Sequence, residues 1–336
     1  MKDISPSDYL SCDAVKYDYL VRLNRAIDYI RKHYGQDLNL EKLAKIACFS
    51  KYHFHRLFRC LVGETINDFL RRFRLEKAIH RLIVDKKRLI TDIALDCGFS
   101  SSQNFAKVFK AYYGVTATFV RQKGWGLQQN GQENSAARKS PPPINQSDEQ
   151  INTFRSRYRE ILERRKAISV IISDMPSFHV AYLRRIGPYE DEKIAPFFTR
   201  LMKWSALGEF WDEKSLLIAS VWNNPFITPG DRCICDACLT IPESVKSAEG
   251  VNIQTLPGGK YAVYHQDELE MREFPEAWMR LIDWLILSDY LADDRPSYMV
   301  IYQNRLPLGQ PGMVDLCLAI KSFKKTNSMI RKGNSG

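Results

Sequence analysis

The sequence predicts a multidomain chain, in which an all-α domain with two helix-turn-helix units precedes an α+β domain of two pseudo-symmetric repeats. Three observations lead to this fold class. One helical motif occurs twice near the N-terminus, a polar segment interrupts the apolar pattern in the middle, and a second repeat occurs in the C-terminal half. A chain of 336 residues, 45% of them apolar, is long enough to form two cores.

A repeated pair of helices defines the first domain, which we expect at 15–124. A first helix is predicted at 18–33, because its apolar residues share one face. The repeated units follow at 39–61 and 90–113, and a long helix at 66–84 joins them as a rigid rod. Apolar residues recur in both units at positions i, i+3, i+4 and i+7: Phe54, Leu57, Phe58 and Leu61, then Phe105, Val108, Phe109 and Tyr112. This spacing buries one face of a helix and leaves the other for a partner.

The other face of each repeated helix is polar and basic, as in helices that enter the major groove of DNA. Arginine can bind guanine, and glutamine can bind adenine, through paired hydrogen bonds. The cationic excess lies in the same domain, since 15–124 contains 22 Lys and Arg against 10 Asp and Glu, whereas the remaining residues contain 27 against 29. The predicted DNA-contacting residues are Ser50, Tyr52, His55, Arg56, Arg59, Ser102, Gln103, Asn104, Lys107 and Lys110.

A polar segment at 125–153, with three consecutive prolines, predicts a flexible linker. A second domain is expected at 154–325, beginning with a short basic helix at 154–166. Short segments of this domain occur twice, 79 to 81 residues apart; Trp204, for example, corresponds to Trp284. Each half is predicted to be strand, helix, strand, strand. A cleft between two such halves is a common place for a ligand.

The cysteine spacing invites a metal site, but other features argue against one. Cys233, Cys235 and Cys238 lack an evident fourth ligand nearby and do not share one strand face. We therefore expect structural cysteines and neither a metal nor a cofactor. Apolar runs fall short of the ~18 residues that span a bilayer, and the N-terminus lacks a signal-peptide core. A cytoplasmic protein without a membrane partner is expected.

Residues 37–121 resemble the AraC/XylS family of bacterial transcription activators, particularly its Rob-like members. The resemblance rests on these residues: Ile93-Ala94, Gly98-Phe99-Ser100-Ser101, Phe105, Phe109, Gly114-Val115-Thr116 and Arg121. It implies two recognition helices, joined by a long helix, that enter successive major grooves on one face of DNA. The implied base contacts are Tyr52, His55, Arg56, Gln103, Asn104 and Lys107, with Ser50, Lys51 and Arg121 nearer the DNA backbone.

The chain departs from this family at two turns. Cys48 stands where the family commonly has glycine, and Ala117 stands where it commonly has proline. A positive φ is less accessible to cysteine than to glycine. We therefore expect the first unit to be looser or tilted.

The second domain resembles the GyrI-like small-molecule-binding fold. The matching segments are Ile186-Gly187-Pro188-Tyr189, Cys233-Ile234-Cys235-Asp236-Ala237-Cys238 and Gly258-Gly259-Lys260-Tyr261-Ala262-Val263. Related domains often place a buried glutamate where this chain has Met299, so the resemblance favours an apolar or neutral ligand here. The predicted effector-binding residues are Tyr182, Tyr189, Trp222, Tyr261, Tyr298 and Met299.

Together these features predict a regulator that reads promoter DNA with two recognition helices and senses a small molecule, without catalytic residues. RNA polymerase is the protein partner that we expect. Two alternatives stay open for the second domain. Some GyrI-like domains are thought to hydrolyse small toxins, and Glu190 or Glu268 could activate water. Other domains of this fold bind proteins, such as a polymerase subunit or a topoisomerase.

Overall fold

The structure is a computed structural model with two units, the helical domain (14–123) and the sheet domain (168–322). It describes residues 14–85, 88–123, 168–208, 210–212, 214–223, 227–246, 250–269, 273–302 and 312–322. The predicted linker at 125–153 and the predicted helix at 154–166 lie outside the described residues. No helix in the described part of the chain is long and apolar enough to cross a membrane.

Seven helices form the described part of the helical domain. They are α1 (Ala14–His33), α2 (Leu40–Ile46), α3 (Lys51–Val62), α4 (Ile66–Val84), α5 (Ile90–Asp96), α6 (Ser102–Tyr113) and α7 (Ala117–Lys123). The first six agree with the sequence prediction. Helix α7 was not predicted, because a seven-residue segment is too short for apolar periodicity to stand out.

Helices α3 and α6 are the two copies of the repeated motif, and their ends are built alike. Ser50 precedes α3 and accepts a hydrogen bond from the His53 backbone N–H, and Ser101 caps α6 in the same way. Each helix has 12 residues and ends at a glycine with a left-handed φ, 80° at Gly63 and 74° at Gly114. The buried stripes consist of Phe54, Phe58, Leu61 and Val62 in α3, and Phe105, Phe109 and Tyr113 in α6.

Helix α4 is the predicted rod between the two units. Its 19 residues span about 28 Å at 1.5 Å per residue. Buried within the domain, Arg72 of α4 pairs with Glu64 at 2.6 Å and with Glu76 at 2.8 Å. Burial alone would lower the pKa of Arg72, but the two carboxylates raise it above its ordinary value.

The turn before α3 has the same form as the turn before α6. Cys48 adopts a φ of 54°, and Gly98 adopts a φ of 83°. In both turns the next residue, Phe49 or Phe99, donates a backbone hydrogen bond to an alanine carbonyl of the preceding helix, at 3.0 and 3.1 Å. The first turn is therefore closed like the second, despite its cysteine.

The sheet domain contains nine strands and two helices within its described residues. The strands are β1 (Ile171–Met175), β2 (Phe178–Ile186), β3 (Leu217–Val221), β4 (Ile234–Thr240), β5 (Asn252–Leu256), β6 (Gly259–Leu269), β7 (Tyr290–Ala292), β8 (Ser297–Ile301) and β9 (Gly312–Ser322). The helices are α8 (Asp191–Leu207) and α9 (Phe274–Leu287). The antiparallel sheet has the order β1-β6-β9-β8-β3-β4-β2-β5, and β7 pairs with β9.

This order has the predicted twofold symmetry, because exchanging the halves reverses it. Strands β1, β2, β3 and β4 correspond to β5, β6, β8 and β9, and the pseudo-axis passes between β3 and β8. Each half contains the order β-β-α-β-β rather than the expected β-α-β-β, and the second half adds the short strand β7 between α9 and β8. The extra first strand pairs with the other half, β1 with β6 and β5 with β2. This strand lies at an edge of the sheet, and its residues do not alternate regularly between buried and exposed, so no period of two identifies it in the sequence.

The two faces of the sheet have different partners. One face packs on α8 and α9 through apolar residues such as Ala237 and Leu316. The inner face points the other way and consists of Tyr182, Arg184, Ser220, Trp222, Asp236, Gln254, Tyr261 and Tyr298. The helical domain lies against this inner face, because α1 forms hydrogen bonds with its residues.

Candidate functional site

The exposed face of α3 carries most of the side chains predicted for the first unit. Tyr52 is 76% exposed. Lys51, Arg56 and Arg59 are also exposed, whereas His55 is half-buried. The buried apolar stripe on the opposite side of α3 fixes the orientation of the helix. Its tyrosine and arginines therefore face solvent and are available to a partner.

Helix α6 presents a comparable face in the second unit. Gln103, Asn104, Lys107 and Lys110 are exposed, and Ser102 is half-buried. The Asn104 side chain donates a hydrogen bond to the Ser100 hydroxyl at 3.1 Å, which orients its amide near the start of the helix. Amide and ammonium groups therefore stand side by side on this face.

The N-terminal ends of α3 and α6 favour a nearby phosphate, because backbone N–H groups and the helix dipole attract anions. Neither helix has an acidic residue in its first turn. Ser50 is exposed at the start of α3. Arg121 is half-buried on α7, like His55 and Ser102 on their helices, and burial lowers its pKa.

The inner face brings four of the six predicted effector residues together. Tyr182, Tyr261 and Tyr298 are buried, and Trp222 is half-buried just beyond β3. The rings of Tyr261 and Tyr298 lie 4.9 Å apart, between their centres. Burial raises the pKa of Tyr261 to about 12, so this phenol stays protonated at neutral pH.

The structure does not bring the other two predicted effector residues to the inner face. Met299 follows Tyr298 in β8 and therefore points to the face covered by helices, where it packs in their apolar clusters. Tyr189 lies beyond the end of β2, and its hydroxyl donates to the carbonyls of Asn223 and Ile234, at 3.1 and 3.0 Å. Met299 therefore lies on the opposite face of the sheet, and Tyr189 contacts the backbone next to Trp222 rather than the inner face.

An ion pair crosses the inner face beside Trp222. Arg184 donates two hydrogen bonds of 2.7 Å to the Asp236 carboxylate, and the Trp222 indole N–H donates to the same carboxylate at 3.0 Å. Asp236 is fully buried, and the Arg184 side chain is 1% exposed. The guanidinium carbon of Arg184 lies 4.1 Å from the centre of the Trp222 ring. These charges were absent from the sequence-based site.

Three polar residues of α1 complete the inner face. Asn24 donates to Asn252 at 2.9 Å, and Arg31 donates to Gln254 at 2.9 Å. Asp28 accepts hydrogen bonds from the Tyr182 hydroxyl at 2.5 Å and from Arg184 at 2.8 Å. Their spacing of four and three residues places them on one side of α1. That spacing was the only signal in the sequence, and an ordinary solvated helix face has the same pattern.

Helix α4 makes further contacts with the sheet domain. The Asn223 amide donates to Glu76 at 2.8 Å, and Arg232 pairs with Glu64 at 3.5 Å. Near the end of α4, Arg81 forms an ion pair with Asp294. Apolar residues Ile227 and Ile234 of the sheet domain join the core of the helical domain. The interface between the two domains thus contains both ion pairs and apolar contacts.

The three closely spaced cysteines do not converge on one point. Cys235 packs on the helix-covered face of β4, while Cys238 packs on the opposite face. Cys233 precedes the strand and its thiol contacts the Thr228 carbonyl at 3.7 Å. Burial raises the pKa of the Cys233 thiol to about 12, which disfavours the thiolate that binds metals. Among the described residues, no cluster of three or more ligands suited to a metal ion occurs.

Comparison with known proteins assigns both domains. Residues 43–123 match the helix-turn-helix domain family, and residues 169–321 match the GyrI-like small molecule binding domain family. Regulatory protein SoxS of Escherichia coli K12 is 35% identical over 97 residues, which are 29% of this chain and 90% of SoxS. DNA gyrase inhibitor 2 of Dickeya dadantii is 32% identical over 141 residues, which are 41% of this chain and 84% of that protein.

The helix-turn-helix units and these relatives define the class: the chain belongs to the AraC/XylS family of transcription regulators. More particularly, it is an AraC-type DNA-binding transcription regulator that carries a GyrI-like small-molecule-binding domain. The chain matches 36% of the length of a further relative, the uncharacterised regulator YbfP of Bacillus subtilis, at 32% identity.

Proposed function

We propose that this regulator reads promoter DNA by placing α3 and α6 in two successive major grooves, while the inner face of the sheet domain binds a small effector. The observation that carries the first part is the matched pair of capped, 12-residue helices with exposed polar faces. The rod between them is about 28 Å long, close to the ~34 Å helical repeat of B-DNA.

The proposed roles follow from the chemistry of each side chain. Arg56 can bind guanine with two hydrogen bonds, and Gln103 can bind adenine in the same manner. Arg59 lies a turn further along α3 and suits a phosphate. The remaining proposed contacts are Ser50, Lys51, Tyr52, His55, Ser102, Asn104, Lys107, Lys110 and Arg121. RNA polymerase is the protein partner that we propose, on the strength of the family alone.

The effector role is supported by the four aromatic residues gathered on the inner face. Tyr182, Tyr261 and Tyr298 belong to one apolar cluster of this face, and Arg184 with Asp236 supplies charge beside Trp222. Such a mixture of aromatic walls and a few polar groups is typical of ligand sites. Glu190 and Glu268, the residues considered for hydrolysis, are both exposed, and Glu190 pairs with Lys193.

Selection of duplexes from a random pool by the full chain tests the DNA-reading proposal. We expect one preferred site of about two helical turns, with affinity that falls steeply as salt rises. On that site, Arg56→Ala should weaken binding by about 1–3 kcal/mol, while binding to unrelated duplexes changes little.

Lys107→Ala distinguishes a base contact from a phosphate contact in α6. A loss confined to the selected site indicates a base contact, and an equal loss on every duplex indicates phosphate. Arg280→Ala, on the sheet domain helix α9, is the matched control and should leave both affinities unchanged. Absence of sequence preference together with salt-insensitive binding would disprove the proposal.

A further inference from the structure

Two charged side chains of α1, Asp28 and Arg31, contact the inner face of the sheet domain. Both carboxylate oxygens of Asp28 are engaged, one by the Tyr182 hydroxyl and the other by Arg184. The guanidinium carbon of Arg31 lies 4.3 Å from the centre of the Trp222 ring. A small molecule in contact with Tyr182 and Trp222 would need the space that these two α1 side chains occupy.

We propose that α1 acts as an internal ligand of the inner face, so that an effector binds there only by displacing Asp28 and Arg31. Effector binding and docking of α1 on the inner face then exclude each other. This inference rests on the proposed function in one respect, namely that the effector site is the inner face. Beyond the proposed function, it identifies α1 as the competitor of the effector and specifies the chemical class of the effector.

The groups of the inner face that bind Asp28 of α1 are buried, so an effector cannot reach them while α1 is docked. The side chains of Arg184 and Asp236 are inaccessible to solvent, and Asn24 of α1 is 7% exposed. Two guanidinium groups lie over the Trp222 ring, at 4.3 and 4.1 Å from its centre. The part of the Trp222 ring that Arg31 covers is therefore closed to a stacking ligand until Arg31 leaves.

Charge stabilises the docked arrangement. Burial alone would raise the pKa of Asp28, but Arg184 and Arg31 lower it below the ordinary value for aspartate. Asp28 is therefore a carboxylate at neutral pH, held between cations. The groups that face it are Arg184 and Tyr182 from β2 and Arg31 from its own helix.

The groups that α1 vacates define the effector. Departure of Asp28 leaves Tyr182 and Arg184 with donors that match a carboxylate. Arg184 also has one nitrogen, Nη1, without a hydrogen-bond partner among the described residues, so the site can accept a further oxygen. Departure of Arg31 leaves the flat surface of Trp222. An aromatic carboxylate satisfies both requirements, whereas an aromatic cation would meet the guanidinium of Arg184.

Asp236 keeps the site in place after α1 leaves. Its carboxylate binds Arg184 through two oxygens and also accepts hydrogen bonds from Trp222 and Gln254. All of these residues belong to the sheet domain. Displacement of α1 therefore exposes a preformed set of donors and one aromatic ring.

The test uses the full chain and 2-naphthoate as the probe, with binding measured by calorimetry. Weakening the internal ligand should strengthen the external one, since the apparent dissociation constant varies inversely with the open fraction. We expect Asp28→Asn to bind 2-naphthoate about tenfold more tightly than the unmodified chain. Asp18→Asn is the matched control, because Asp18 lies on α1 and pairs with Arg22 of the same helix, and its affinity should not change.

A second measurement does not depend on any variant. Hydrogen exchange of the α1 amides should accelerate when 2-naphthoate is added to the unmodified chain, and 2-naphthylmethylammonium should have no such effect. Equal or weaker binding by Asp28→Asn, unchanged α1 exchange, or preference for the ammonium compound would each overturn the inference. Affinity for the selected DNA site is recorded separately, so loss of DNA recognition would count against the proposed function alone.

Discussion

Cys48 and Gly98 occupy equivalent turns in the two helix-turn-helix units, and both have a left-handed backbone, with φ of 54° and 83°. Glycine adopts this conformation without a steric penalty, whereas a residue with a Cβ is strained by roughly 1–2 kcal/mol. The first unit retains the turn although its residue type is unfavourable. The expected looseness is not visible in the turn hydrogen bonds, which match those of the second unit.

Replacement of Cys48 by glycine should therefore stabilise the protein. The Cys48 side chain is exposed and its thiol makes a weak 4.0 Å contact with the Ile46 carbonyl, so little packing is lost. We expect the free energy of unfolding to rise by about 1 kcal/mol, measured by urea denaturation. Ala47→Gly is the control, since Ala47 has a helical φ of −78° and a buried methyl group, and this variant should be less stable by at least about 1 kcal/mol. Destabilisation by Cys48→Gly would show that the turn carries no strain.

Helix α6 shows why the helical domain could be predicted well from the sequence. Its apolar residues recur with helical spacing, a serine precedes it and a glycine follows it, so periodicity and capping agree. The sequence therefore predicted that the opposite side of α6 is exposed, and Gln103 and Lys107 lie on the surface in the structure. The edge strands β1 and β5 lacked such agreement, because their residues do not alternate regularly between buried and exposed.

The contact between the domains could not be predicted in this way. Asp28 and Arg31 are charged residues on an amphipathic helix, and such residues usually face solvent. Their partners Arg184 and Trp222 lie more than 150 residues away in sequence. Only the folded sheet brings these groups opposite α1. The local sequence around α1, or around Arg184 and Trp222, therefore does not indicate that they are in contact. The aromatic residues of the inner face were identified, but the charges that accompany them were not.

Arg59 is expected to contact phosphate rather than a base. It is exposed in the last turns of α3, one turn beyond Arg56. Arg59→Ala should weaken binding to all duplexes by the same factor and should reduce the slope of log affinity against log salt by about 1. The salt dependence of dissociation constants for one selected and one unrelated duplex provides the measurement. A loss restricted to the selected duplex would reassign Arg59 to a base.

Arg72 links the helical domain internally and supports its contact with the sheet domain. Its side chain is 2% exposed and pairs with Glu64 and Glu76, which in turn bind Arg232 and Asn223. Arg72→Met would leave Glu76 without a cation and Glu64 with the more distant Arg232 alone. We expect the free energy of unfolding to fall by about 3–5 kcal/mol in urea denaturation.

The neighbouring Arg71 is the matched control for Arg72. It is exposed and pairs with Asp68 at 3.3 Å on the helix surface. Arg71→Met should change stability by less than about 1 kcal/mol, because exposed ion pairs are weak. Equal effects of the two substitutions would contradict the role assigned to the buried network.

His80 makes stability depend on pH between the ordinary pKa of histidine and pH 4. It lies on α4 beside a cavity of about 40 Å³, which it shares with Arg81, Asp294 and Lys321. Burial, and then the nearby Lys77, lower the pKa of His80 from 6.5 to about 4, against an opposing effect of Asp294. The folded protein therefore keeps His80 neutral in a range where the unfolded chain binds a proton.

Because the unfolded chain binds more protons there, stability should fall as the pH drops from 6.5 towards 4, by about 2–3 kcal/mol from this residue. His80→Gln removes the titrating group, so its stability should decline less over the same range in urea denaturation. His53→Gln, on the exposed face of α3, should follow the unmodified chain. Parallel pH profiles for His80→Gln and the unmodified chain would mean that His80 protonates equally in both states, and that burial beside Lys77 does not control it.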